Sequence, residues 1–233
     1  MKKRVSSGGM LLYAVLPPFK GEWQMLLTYL INQLDKLGVA VRFNEECTAS
    51  AVMEGKPDAV IVATGSVPYI PAIPGVNGGN VAIALDVLSG KKGTGQNVVV
   101  VGGGLIGCET AEFLHQQGKQ VTILEMLPSI GADIGPRSRW VVIDRLVAAG
   151  IRMETGAKVE EITQKGVWIS RRGRSWEFFT ADSVIIAAGM VPFDKISGEL
   201  EGKVAQIHRV GDCNKARRVK EAIEEGFLAA LQV

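Results

Sequence analysis

The chain has 233 residues, of which 47% are hydrophobic, so it has room for one or two domains. Its 26 basic and 24 acidic residues nearly balance, which gives no reason to expect nucleic acid or an anionic membrane as a partner. Cys47, Cys108 and Cys213 form no CxxC pair, so we expect neither a redox dithiol nor a metal site. Sparse, unpaired cysteines are typical of a reducing cytoplasm.

The first ninety residues contain few regular elements, and their hydrophobic spacing and turn residues predict the bounds. We expect a helix over 23–37, strands over 39–43 and 59–63, irregular chain over 69–80, a short helix over 84–88 and a polar linker over 89–96.

The rest of the chain alternates strands and helices, which is typical of an α/β domain with a parallel sheet. We expect strands over 98–101 and 121–125, helices over 105–117 and 137–149, short strands with an apolar hairpin over 152–186, a strand over 205–210 and a closing helix over 218–231.

The strand that ends at Val101 leads directly into the pattern Gly102-x-Gly104-x-x-Gly107. A second apolar strand then ends in an acid, Glu125, which lies 18 positions after the last glycine. Strand, glycine loop, helix, strand and acid together are the full context of a dinucleotide-binding fingerprint. The first glycine allows the tight turn, the second lets the backbone approach a pyrophosphate, and the third lets the helix pack close to the sheet.

The first N–H groups of the following helix have no partner inside the helix, so they favour a diphosphate. The residues that we expect to hold it are Gly102, Gly103, Gly104, Leu105, Ile106 and Gly107. Glu125 can accept hydrogen bonds from the ribose hydroxyls and would repel a 2′-phosphate. No Arg or Lys lies within residues 126–129, so NADH is favoured over NADPH. The alternative is a glycine-rich turn with a surface glutamate.

An internal repeat links two parts of the chain. Residues 58–68 and 182–192 are identical at seven of eleven positions, at an offset of 124. Upstream, 33–43 parallels 145–155 at an offset of 112, and both stretches have the pattern helix, glycine, strand. The repeat predicts two related nucleotide-binding modules.

Sliding the glycine loop back by 112 positions places its counterpart before residue 1. The first module therefore lacks its leading strand, glycine loop and ribose-binding acid. The chain is either a piece of a longer protein or a protein that has lost its first site. We expect an α/β fold in which a Rossmann-like NAD(H)-binding domain (91–189, parallel sheet plus β-meander) is inserted into a truncated nucleotide-binding domain (1–90 and 190–233).

Four motifs together resemble the flavoproteins with two dinucleotide-binding domains. They are Ala63-Thr-Gly-Ser-x-Pro68, Gly102-x-Gly-x-x-Gly-x-Glu109, Ala187-Ala-Gly189 and Gly211-Asp-Cys213. Over essentially its whole length, the chain is most similar to the C-terminal half of NADH:flavin oxidoreductases. That group includes 2,4-dienoyl-CoA reductase, trimethylamine dehydrogenase and NADH oxidases of the old yellow enzyme type.

This resemblance implies that the truncated domain (1–90 and 190–233) is of the FAD-binding type, and it implies roles for further residues. Thr64, Gly65, Gly211 and Asp212 would contact FAD, and Gly189 and Glu109 would contact NAD. The alternative for Asp212 is a helix or loop cap. The alternative for Glu109 is a solvent-facing position on its helix.

In the family, NADH passes hydride to FAD for onward electron transfer, and the cofactors carry the chemistry. The resemblance implies that FMN, an iron–sulfur cluster and an N-terminal catalytic domain belong to sequence outside this chain. No residue here is therefore expected to be catalytic, and the chain alone is expected to be inactive. The alternatives are a non-catalytic NAD- or ADP-binding module and a stand-alone single-flavin NADH reductase. The oligomeric state cannot be inferred from the sequence.

Overall fold

A computed structural model describes residues 7–171 and 175–233. Residues 1–6, which include Lys2, Lys3 and Arg4, and residues 172–174, which fall in the expected apolar hairpin, lie outside these ranges. The α-helices within them are α1 Leu11–Ala14, α2 Glu22–Lys36, α3 Ala49–Glu54, α4 Ala84–Leu88, α5 Leu105–Gln116, α6 Pro136–Ala148, α7 Ser197–Leu200 and α8 Val219–Ala230. The strands are β1 Ala59–Val62, β2 Ser66–Pro68, β3 Val81–Ile83, β4 Asn97–Val101, β5 Gln120–Glu125, β6 Arg152–Thr155, β7 Ala157–Thr163, β8 Gly166–Arg171, β9 Ser175–Thr180, β10 Ser183–Ile186, β11 Met190–Pro192 and β12 Gln206–Arg209.

Five of these strands form a parallel sheet in the order β3-β10-β4-β5-β6. Strand β4 is central, and the chain leaves it through α5 to β5 on one side, whereas β10 lies on its other side. Ligands of open α/β sheets bind beyond the carboxyl ends of the strands at such a switch point. The glycine loop, which follows β4, lies at this edge of the sheet.

The two faces of the sheet are covered differently, and β4 shows how. Val98 and Val100 pack in a core with α5 and α6, whereas Val99 and Val101 pack in a core with the antiparallel meander β7-β8-β9. Successive residues of a strand point to opposite faces, so a strand covered on both faces is apolar throughout. The expected α/β fold with a parallel sheet and a β-meander is confirmed.

The chain divides into two compact units. The glycine-loop unit comprises residues 13–23 and 68–189, and the split unit comprises residues 7–12, 24–67 and 190–233. Residues 68–90, which the sequence analysis placed in the first domain, thus lie in the glycine-loop unit. The reason is that β3 pairs with β10, and α4 buries Ala84 and Val87 in the core shared with α5.

In the split unit, β1 pairs with β12 in parallel, at the register Ala59 to Gln206. Its core is small and contains the buried side chains of Val62, Ile196, Leu200 and Cys213. Helix α2 agrees with the predicted helix, although Leu27 is its one buried residue.

The strand predicted over residues 39–43 does not form, and this prediction was wrong. Val39, Val41 and Phe43 are 48%, 43% and 44% exposed. In the second copy of the repeat, the equivalent strand β6 pairs with β5. The counterpart of β5 would fall at residues 8–13, where the chain instead turns and begins α1. Without a partner for its backbone groups, an apolar segment of this length does not persist as a strand.

Candidate dinucleotide site

The loop between β4 and α5 has a shape that requires glycine. Gly102 has a φ of +110°, and a Cβ there would lie 2.4 Å from the carbonyl oxygen of Ala187. A Cβ on Gly107 would lie 1.9 Å from the carbonyl oxygen of Gly102. Both distances are far below van der Waals contact. The first and third glycines of the pattern are therefore needed for the turn and for the close approach of α5 to the loop.

The N-terminus of α5 already holds an anion. Gly104 is the N-cap residue and offers no side-chain acceptor. The backbone N–H of Leu105 donates instead to the carboxylate of Asp133, at 3.0 and 3.1 Å from its two oxygens. This is the geometry in which a helix N-terminus binds a negatively charged group. Asp133 was missed in the sequence, since an acid in the loop after β5 has no signal of its own.

Glu125 lies at the end of β5, beside the glycine loop, and is 8% exposed. Its Oε2 accepts a hydrogen bond of 2.6 Å from the N–H of Gly103, and its Oε1 accepts one of 2.7 Å from the N–H of Leu127. A carboxylate has about four lone-pair positions, so each oxygen retains acceptor capacity for a ribose hydroxyl. The side chain of Glu125 thus links the glycine loop, at Gly103, to the residues that follow β5, at Leu127. The motif alone did not predict this role.

Glu109, on the second turn of α5, is not a solvent-facing residue. It is 9% exposed, and its Oε1 lies 2.7 Å from the ammonium nitrogen of Lys20. Burial raises the pKa of Glu109 above its ordinary value, although Lys20 opposes this shift. No sequence pattern pairs these two residues, because Lys20 lies 89 positions before Glu109.

Cys108 packs as a structural residue at the start of α5. It is fully buried, and burial together with the nearby carboxylates of Asp133, Glu112 and Glu109 raises its pKa to about 12. A thiol with this pKa is protonated at neutral pH and is a poor nucleophile.

Gly189 follows β10, the neighbour of β4, and has a φ of +103°. Its carbonyl oxygen accepts a hydrogen bond of 2.9 Å from the N–H of Tyr69. A Cβ at this position would meet no atom within 4 Å, so the backbone angle and not crowding favours glycine here.

The split unit brings together the four residues that the sequence analysis connected with FAD. Gly65 and Gly211 have φ angles of +80° and +67° and follow the adjacent parallel strands β1 and β12. The Thr64 hydroxyl donates to the carbonyl oxygen of Phe193. These positions share the carboxyl edge of their two-stranded sheet.

The carboxylate of Asp212 is engaged on both oxygens. It accepts hydrogen bonds of 3.0 Å from the Ser66 hydroxyl and 3.0 Å from the N–H of Arg217. The N–H of Gly211 donates to Glu225 at 2.7 Å. Asp212 therefore accepts from a loop N–H, as expected if it caps a loop. The sequence motifs did not reveal that Ser66 contacts Asp212 or that Glu225 contacts Gly211.

Over 7–171 and 175–233, no cluster of three or more His, Cys, Asp or Glu side chains could hold a metal ion. Over the same ranges, no helix has the length and apolar character needed to cross a membrane.

A parallel sheet with a glycine loop at its switch point defines a dinucleotide-binding α/β domain. Residues 30–209 match the pyridine nucleotide-disulphide oxidoreductase family, and the chain belongs to this family.

Individual proteins similar to this chain include two reductases and an NADH oxidase. A metal reductase of Desulforamulus reducens is 34% identical over 97% of this chain and 39% of its own length. An NADH oxidase of Thermoanaerobacter brockii is 35% identical over 100% of this chain and 36% of its own length. The structure of a 2-naphthoyl-CoA reductase complex superposes with a TM-score of 0.93 at 31% identity, over 99% of this chain and 35% of that one. The chain thus spans little more than a third of the length of these relatives.

Proposed function

We propose that this chain is the NADH-binding part of a longer NADH:flavin oxidoreductase. The observation that carries the proposal is the position of Glu125, which lies at the carboxyl edge of the sheet with its carboxylate 2.6 Å from the N–H of Gly103. An acid fixed beside a glycine loop is the arrangement that recognises an adenosine ribose. The relatives support the same function, since one of them is an NADH oxidase.

The residues present fit a dinucleotide. The glycines at 102 and 107 keep side chains out of the loop, and the N–H of Leu105 is already bound to a carboxylate, which shows that this helix end accepts negative charge. We propose that Gly102 to Gly107 hold the pyrophosphate and that Glu125 accepts hydrogen bonds from the ribose. Glu109 and Gly189 are proposed to contact the rest of the NAD molecule.

The same carboxylate would select against NADPH. A 2′-phosphate beside Glu125 would place two negative groups in a buried position, which costs several kcal/mol unless a cation intervenes (about 4 kcal/mol for unit charges 4 Å apart near a protein surface). Residues 126–129 contain no Arg or Lys to supply that cation.

This proposal is tested by titrating the purified chain with NADH, NADPH and ADP and following NADH fluorescence or heat. We expect NADH and ADP to bind and NADPH to bind at least tenfold more weakly. Glu125→Gln keeps the size of the side chain and removes its charge, and we expect it to weaken NADH binding and to narrow the preference over NADPH.

Glu161→Gln is the matched control, because Glu161 is an exposed glutamate on β7, away from the loop. Thermal melting of each variant separates a loss of binding from a loss of folding. Unchanged NADH affinity and unchanged preference in a folded Glu125→Gln variant would contradict the role proposed for Glu125.

For the longer protein, we propose that Thr64, Gly65, Gly211 and Asp212 contact FAD. When bound, the two cofactors, NADH and FAD, would supply hydride-transfer chemistry. What this chain's own residues do is to bind and orient: the glycines leave room for the backbone to approach the ligands, and Asp212 is held by two hydrogen bonds. Within this proposal, FMN, an iron–sulfur cluster and an N-terminal catalytic domain belong to sequence outside the chain, and the protein acts in the cytoplasm.

The sequence holds one glycine loop and not two, so we expect the isolated chain to bind NADH but to retain FAD poorly. The absorption spectrum of the purified protein measures this. A stoichiometric oxidised-flavin spectrum would show that the split unit alone suffices for FAD, and would favour a stand-alone reductase.

A further inference from the structure

The loop that joins β5 to α6 crosses the glycine loop and is firmly attached to it. The N–H of Gly131 donates to the carbonyl oxygen of Gly103 at 2.6 Å. Ile130 and Ile134 are buried in the core shared with α5 and α6. The backbone of this crossing loop is therefore held at both ends, independently of any ligand.

Between these two anchors, Asp133 is exposed and points its carboxylate at the N-terminus of α5. Its contacts are close: a Cβ added to Gly104 would lie 3.0 Å from one carboxylate oxygen. The carboxylate thus occupies the space next to Gly104 and Leu105 where the proposed function places a pyrophosphate.

A carboxylate and a diphosphate cannot share this position, because both are negative and both need the same N–H group. Because the backbone of the crossing loop is anchored, the N–H of Leu105 becomes available only when the exposed side chain of Asp133 turns away from it. The geometry points to Asp133 as an internal competitor of the nucleotide. Its carboxylate caps α5 in the free protein, and the pyrophosphate of the incoming nucleotide displaces it. This inference rests on the proposed function, and it adds a residue that sets affinity from outside the glycine motif.

The consequence is that Asp133 lowers the affinity for NADH. Asp133→Asn isolates the charge, because Asn caps a helix as well as Asp and can still accept from the N–H of Leu105. We expect this variant to bind NADH about fivefold more tightly at low ionic strength, with melting temperature little changed. The control is Asp144→Asn, which removes an exposed carboxylate from α6 and should leave the affinity unchanged.

Salt dependence distinguishes displacement of a charge from a general change in packing. The test compares the dissociation constants for NADH of wild type and both variants at two salt concentrations. At about 10 mM salt the Debye length is about 30 Å, and at about 150 mM it is about 8 Å. The gain from Asp133→Asn should shrink at the higher salt concentration. A gain that is equal at both concentrations would overturn the electrostatic competition.

The remaining outcomes separate this inference from the function on which it rests. If wild type binds NADH and Asp133→Asn binds it equally well or more weakly, the inference is wrong and the proposed function stands. If neither protein binds NADH or ADP, the proposed function fails and the inference fails with it.

Discussion

The two copies of the repeat show how strongly neighbouring strands determine whether a strand is buried. Strand β10, in the second copy, lies between β3 and β4, and all four of its residues are buried. Strand β1, in the first copy, pairs with β12, and one of its four residues is buried. The two segments have nearly the same sequence, so pairing on both sides and not composition determines their burial.

The turn after each strand does not depend on those neighbours. Gly65 and Gly189 occupy equivalent repeat positions, and both have positive φ angles. A backbone conformation set by local chemistry is thus kept in both copies, whereas burial, which depends on distant residues, is kept in one.

The largest effect should come from equivalent isoleucines of the two strands. Ile185 is 0% exposed, and its repeat counterpart Ile61 is 42% exposed. Ile185→Ala opens a cavity in the core and should lower the free energy of unfolding by about 2–5 kcal/mol. Ile61→Ala removes half-exposed surface and should cost less than about 1 kcal/mol. Urea unfolding followed by circular dichroism measures both, and equal losses would show that the two strands are equally buried in solution.

A smaller and equal effect is expected at the two turns. Gly65→Ala and Gly189→Ala each force a side chain into a left-handed backbone conformation, at a cost of roughly 1–2 kcal/mol. Gly226→Ala is the control, because Gly226 lies inside α8 with open space around it, and alanine there should stabilise the helix by up to about 1 kcal/mol. Clearly unequal costs at 65 and 189 would mean that the turns differ in the surrounding structure.

The smallest effect is a difference in pH dependence between one carboxylate of each unit. Burial raises the pKa of Glu109 above 4.5, so its stabilising contribution is fully present below that pH and is lost as the pH rises through the raised value. The side chain of Arg217 and the N–H of Gly211 lower the pKa of Glu225, so its contribution is present above 4.5 and is lost as the pH falls.

Unfolding free energies of wild type, Glu109→Gln and Glu225→Gln, measured between about pH 3 and pH 8, test these signs. The advantage of wild type over Glu109→Gln should fall with rising pH, and its advantage over Glu225→Gln should grow. If the difference in unfolding free energy between wild type and variant changed with pH in the same direction for Glu109→Gln and for Glu225→Gln, the contrast between these two carboxylates would be contradicted.

Local patterns predicted the elements whose signals lie within one segment. The helices at 22–36 and 105–116 were expected from hydrophobic spacing, and the strand, loop and helix around Gly102 from the fingerprint. The strand at 39–43 failed because its formation depends on a partner strand, which no local pattern reports. The short helices α1 and α3 were missed, since four to six residues carry too little periodicity.

The candidate site divides in the same way. Glycines and the acid at a strand tip have fixed spacing, so the loop residues and Glu125 could be named from the sequence. Asp133 and Lys20 contact residues of α5 that lie 28 positions before Asp133 and 89 positions after Lys20, so only the folded chain reveals these contacts.

The hydrogen bond between Glu125 and Gly103 has one more consequence. A glycine-rich loop has a large conformational freedom, and ordering such a loop at the moment of binding would weaken affinity. Here the Glu125 carboxylate, which accepts hydrogen bonds from the N–H groups of Gly103 and Leu127, holds the loop in the folded chain. The entropy of ordering the loop is therefore part of the folding of this chain, and a nucleotide that bound there would have to displace a side chain but not to order the glycine loop.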